Sequence, residues 1–139
     1  MTNNFFTQPD SISEAAHEIL CDAVQFPDAL SQGDQDTLKT ILKTFPSGAT
    51  FDKWSNSLVW EKRGGFSGET ALAKTRAKLE GLGFKWSDGE TSGLPTGSTS
   101  KFSTILINTR LGYAVAFTQF YGQGSSSNVF KLQTIKLAK

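Results

Sequence analysis

One cysteine, one methionine, one histidine and four prolines are all that this chain of 139 residues spends on those types. A lone Cys21 cannot close an internal disulfide, which points to folding in a reducing compartment. A lone His17 leaves general acid–base chemistry and metal ligation short of their commonest side chain. No apolar run approaches the 18 or so residues a membrane helix needs. The opening "MTNNFFTQPD" has no basic segment and no long apolar stretch, so it does not read as a secretory signal, and a cytoplasmic location (or a particle assembled there) is expected. Bases are missing from residues 1–38, which hold Asp10, Glu14, Glu18, Asp22, Asp28, Asp34 and Asp36. Acids are missing from residues 91–139, which hold Lys101, Arg110, Lys131, Lys136 and Lys139. The net charge of +1 therefore conceals a chain that is acidic at one end and basic at the other, a pattern that signals opposite surfaces: the two ends pair within one molecule, pair between copies, or meet another partner.

What is present is globular: 37% hydrophobic and 19% charged residues, with 11 Phe and 3 Trp. A chain this long buries enough surface to fold as one domain without staples. We read residues 1–9 as an N-terminal arm and 10–139 as the domain.

Ser11 with Glu14 forms a capping box before Ile12, Ala15, Ala16, Ile19, Leu20 and Ala23, so a helix is expected over 11–25 with those residues as its buried face. Leu38, Ile41, Leu42 and Phe45 predict a second helix over 36–44. "FDKWSNSLVWEKR" reads as a strand pair, 50–54 and 58–62, bending at Asn56 and Ser57. A third helix follows Ser67 as cap, with Phe66 stapled onto Ala71 and Lys74, Arg76 and Lys78 on a basic face.

Beyond Gly83 the period falls to 2. "FKWS" is a short strand, 88–100 a polar loop, and "KFSTILIN", "YAVAFTQFY" and "VFKLQTIKL" are three strands with short turns between them. Ala114, Ala116 and Thr118 share a face small enough to accept a helix. The fold class is α+β: an antiparallel meander of about five or six strands with two to three helices packed on one face.

Few groups here carry chemistry. His17 and Cys21 stand at metal-ligand spacing on one helix, but without further ligands they read as a surface pair, and no metal is expected. "RGGFSGET" places glycines before a helix, yet Glu69 occupies the place a phosphate loop gives to lysine; it reads as a tight hairpin-to-helix connection. The basic end of the chain offers no carboxylate for acid–base work. No enzyme activity and no cofactor are expected.

Two functions remain. The first is a non-enzymatic interaction or assembly protein, with Phe5 and Phe6 of the arm and the basic groups Lys101, Arg110, Lys131 and Lys136 as partner-binding residues. Its partner is a second copy or another protein. In general character, and without any motif, the chain resembles small phage and virus proteins that assemble into particles or block host enzymes. The second is a nucleic-acid module, in which Trp54, Trp60 and Trp86 stack bases while Lys53, Lys62, Arg63 and Lys85 neutralise phosphates.

Overall fold

The computed structural model describes residues 9–86 and 104–138. Three α-helices stand among them: α1 (Pro9–Asp22), α2 (Gln32–Leu42) and α3 (Ser67–Gly81). The strands are β1 (Thr50–Asp52), β2 (Ser57–Arg63), β3 (Lys85–Trp86), β4 (Thr104–Asn108), β5 (Tyr113–Phe120) and β6 (Val129–Lys136). All six join one antiparallel sheet in the order β1-β2-β6-β5-β4-β3. The α+β meander expected from the sequence is therefore present. No described helix is long and apolar enough to cross a membrane.

β6 is the strand that joins the two halves. It pairs with β2 from Val59↔Gln133 to Arg63↔Val129, and with β5 from Tyr113↔Lys136 to Phe120↔Val129. Because residues opposite each other share a face, Leu58, Trp60, Phe130, Leu132, Val115, Phe117 and Leu106 all line one side. The three helices pack there, with Leu38, Ile41, Leu42, Leu72 and Leu79 buried in the same core.

The helices thus choose the Tyr113/Val115/Phe117 face and not the alanine face of β5. Close approach is supplied instead by Gly68 in the first turn of α3, where an added Cβ would lie 2.3 Å from the Phe130 ring. The alanine face carries a smaller cluster of Ile105, Ala114 and Ala116, to which no described helix contributes.

Helix α1 departs most from expectation. It runs Pro9–Asp22, and Ile19 and Leu20 are 69% and 65% exposed, with Ala15, Ala16 and Ala23 also outward. The side turned inward holds His17 and Cys21, both buried, which corrects their reading as a surface pair. His17 is accommodated because its Nε2 donates to the Leu42 carbonyl at 3.1 Å, which fixes α1 against the end of α2. Helix α2 starts earlier than the apolar spacing implied, because Ser31 caps it by accepting the Asp34 N–H at 3.1 Å. Ser67 is inside α3 and not its cap; Phe66 occupies that position and is largely exposed.

The β1–β2 hairpin turns over 53–56. Asp52 accepts the Trp54 N–H at 3.1 Å and the Ser55 hydroxyl at 2.8 Å, and Asn56 takes the left-handed conformation, φ 54°. The Ser55 hydroxyl bond holds the Asp52 carboxyl below its usual range.

The contact between Gly68 and Phe130 leads to a direct test. Gly68→Ala is expected to cost about 2–3 kcal/mol in urea unfolding, because neither the ring nor the helix has room to yield. Gly81→Ala, at a helix position with open space around it, is expected to be neutral or to stabilise by about 0.5 kcal/mol. Equal effects at the two positions would contradict the packing described.

Candidate interaction surface

The aromatic and basic groups of 51–66 do not form one platform. Trp60 is 8% exposed and belongs to the core, so it cannot stack on a base. Lys53 and Trp54 lie in the β1–β2 turn, with Trp54 91% exposed, whereas Lys62 and Arg63 end the same strand ~20 Å away at about 3.3 Å per residue. Lys62 and Arg63 also face opposite sides of the sheet. Lys85 and Trp86 form the far edge strand, with β6, β5 and β4 between them and β2, a spacing of ~19 Å. Trp86 is partnered there by the Arg76 guanidinium, 3.9 Å from its ring centre, and Arg76 Nε is 3.4 Å from Glu80.

The partner-binding residues are also divided. Phe5, Phe6 and Lys101 lie outside the described residues. Arg110 is in the β4–β5 turn, at the Asn108/Tyr113 end of the sheet. Lys131 stands in register between Glu61 and Thr118 on the face away from the helices. Lys136 is committed within the chain: its Nζ donates to the Asp34 carboxylate, across 102 residues of sequence. Lys43 Nζ similarly meets Asp22 at 2.9 Å. Part of the charge segregation seen in the sequence is thus an internal match between an early acid and a late lysine. The Lys136 bond holds the Asp34 carboxyl below its usual range. Tyr113 packs beside this pair, and burial, reinforced by Asp34, pushes its phenol well above the usual value.

What gathers at one place is a set of side chains at the other end of the sheet. Arg63, Val129 and Phe120 stand side by side on β2, β6 and β5, in register and on the face away from the helices. Phe120 is 58% exposed and Arg63 72% exposed, its Nε 2.6 Å from Glu61. Phe66 follows three residues after Arg63 and is 60% exposed. Tyr121 continues β5 on the opposite, helix side of the sheet, half exposed, with its ring edge-on to Phe130 at 5.7 Å. Its hydroxyl donates to Glu69, and that bond raises its pKa.

The backbone that presents these groups is fixed. Gly64 N–H donates to the Asn128 carbonyl at 2.8 Å, Gly65 N–H to the Ser125 carbonyl at 2.8 Å, and the Asn128 side-chain amide returns to the Gly65 carbonyl at 2.8 Å. Gly64 and Gly65 both take positive φ, 85° and 65°, the conformation that lets β2 turn straight into α3. "RGGFSGET" is therefore a strand-to-helix elbow clasped to the 122–128 loop. Phe120 and Phe66 escaped the sequence reading because one sits on the face assigned to a helix and the other was assigned to a staple. The available signal was the alternation of β5, which places Phe120 with Ala114 and Ala116.

Two depressions complete the surface. One, of about 440 Å³, is bounded by His17, Phe45, Ser67, Thr70, Lys74 and Lys78. The other, of about 260 Å³, lies between α3 and β4–β5 over Leu72 and Phe117, rimmed by Glu69, Arg76 and Glu80. Among the described residues no group of three or more His, Cys, Asp or Glu is placed to hold a metal ion. No protein-family model, no curated protein and no solved structure matches this chain.

The Asp34–Lys136 pair has a pH signature. Asp34 is lowered in the folded state, so its contribution is complete above the ordinary carboxylate pKa near ~4 and is lost as pH falls through the lowered value. Both side chains are partly exposed, so the contribution is about 1 kcal/mol or less. Lys136→Met is expected to lower stability by that amount at pH 7 and to match the parent chain near pH 2, measured by urea unfolding at both. A deficit that persists unchanged at pH 2 would assign the loss to packing.

Proposed function

We propose that this chain is a non-enzymatic protein–protein interaction module, and that it engages its partner with the end of the sheet where β2 and β5 finish. The observation that carries the reading is the row Arg63–Val129–Phe120, at an end of the sheet where Phe66 and Tyr121 are also exposed. Leaving a phenylalanine in water forgoes about 2 kcal/mol of burial, and two such residues beside an arginine make the composition that anchors interfaces. The 122–128 loop, Gly-Gln-Gly-Ser-Ser-Ser-Asn, supplies the polar rim that such anchors require. The clasp between Gly64–Gly65 and Ser125–Asn128 keeps the surface rigid, so little ordering entropy opposes binding.

A subunit of a larger assembly and a blocker of another protein are two forms of the same activity. Lys131 sits near enough to steer an acidic partner; Arg110 belongs to the other end of the sheet and Lys136 is spent on Asp34. The nucleic-acid reading is weaker because its aromatic and basic groups are spread over the core, both ends of β2 and the far edge of the sheet.

The test is site-specific photocross-linking in extract of the native source, with p-benzoylphenylalanine at position 66, 120 or 54. Positions 66 and 120 are expected to capture the same protein, another copy of the chain included, and position 54 none. Phe120→Ser is expected to weaken the captured complex at least 10-fold while changing unfolding free energy by less than about 1 kcal/mol. Capture from position 54 alone, or none from 120, would overturn the proposal.

A further inference from the structure

β1 covers only part of β2. Their register runs Thr50↔Val59, Phe51↔Leu58 and Asp52↔Ser57, while β2 continues to Arg63. From Trp60 onward the outer edge of β2 has no strand partner among the described residues.

Which backbone groups face outward follows from the bonds on the other side. Leu58 N–H donates to Thr134 Oγ1 at 2.9 Å and Gly64 N–H to the Asn128 carbonyl at 2.8 Å, both toward β6. Backbone direction alternates along an antiparallel strand, so Glu61 and Arg63 turn their N–H and C=O groups away from β6. Proteins usually defend such an edge with like charges, proline or a bulge. This edge carries opposite charges two residues apart, on one face, with Glu61 and Arg63 2.6 Å from each other. It is complementary to itself.

We propose that the chain forms a two-fold dimer by antiparallel pairing of the β2 edges, centred on Lys62. A two-fold axis through Lys62, normal to the sheet, sets Glu61 opposite Arg63 of the second copy, and Arg63 opposite its Glu61. Residues 61 and 63 have the same parity, so the opposed side chains share the face away from the helices. Both are outward-pointing, so each pair exchanges two N–H···O=C bonds, and the two charge pairs reinforce them. The two Lys62 side chains meet on the helix face as a like-charge pair, which opposes the gain from the two Glu61–Arg63 pairs and keeps the association weak. The pairing is confined to 61–63, because Gly64 and Gly65, both at positive φ, turn the chain toward α3 before it would meet β1 of the second copy, which begins opposite Val59. The two six-stranded sheets then become one continuous sheet.

An interface this short is at the small end of specific contacts, and a dissociation constant on the order of 100 μM is expected. This pairing adds a second copy to the interaction reading above and shares Arg63 with it, but it does not depend on Phe120, which stands two strands in from the edge.

Sedimentation equilibrium from about 10 μM to 1 mM is expected to show a monomer–dimer equilibrium. Glu61→Arg alone and Arg63→Glu alone are each expected to weaken it at least 10-fold. Their equimolar mixture is expected to restore association, because the two variants are complementary only to each other. Phe120→Ser is expected to dimerise as the parent does, which separates this test from that of the partner surface. A chain that stays monomeric at 1 mM, or a mixture no tighter than its two components, would overturn the proposal.

Discussion

Everything in this fold depends on β6 lying between β2 and β5. Phe130 and Leu132 are completely buried on that strand, and Leu132 stands in register between Trp60 from the first half of the chain and Phe117 from the second. α3 can cross above only because Gly68 has no side chain to strike Phe130. The same pairing sets the register Arg63–Val129–Phe120 and therefore the exposed end of the sheet. One packing decision thus fixes both the core and the surface proposed to meet a partner.

The placement of the helices has a second consequence. With α1, α2 and α3 on the same side, the described residues of the sheet's other face form a small aliphatic cluster, and its outer end keeps exposed Phe120. Such a layout is economical for a binding protein: one face supplies stability while the strand ends and loops remain free for contact. The β2 edge fits the same layout, since β1 is too short to cover it.

Much of this was legible from the residues. The period-2 stretches of β4, β5 and β6 and their short turns identify consecutive antiparallel strands, and Leu38, Ile41 and Leu42 mark the buried side of α2. The acidic beginning and basic end anticipated a pairing such as Asp34 with Lys136. The join between β2 and β6 was not legible, because pairing across 70 residues is decided by packing and leaves no local periodicity. The side of α1 was misjudged for a related reason. Counting apolar residues favours Ile19 and Leu20, but the Leu42 carbonyl at the end of α2 needs a donor, and His17 supplies it. Trp54, Trp60 and Trp86 do not share one surface, because the strand order puts β3 at the far edge and not beside β2, and the alternation of β2 turns Trp60 into the core.

Native-state amide hydrogen exchange tests the central role of β6 most directly. If β6 holds the halves together, the amides of Phe130 and Leu132, which face β2, and of Lys131 and Gln133, which face β5, exchange only by global unfolding, with the same free energy as the β2 and β5 amides beside them, while β1 and β3 open more easily. Release of the β2 amides at a markedly lower free energy than those of β5 would show two independent halves and contradict the account.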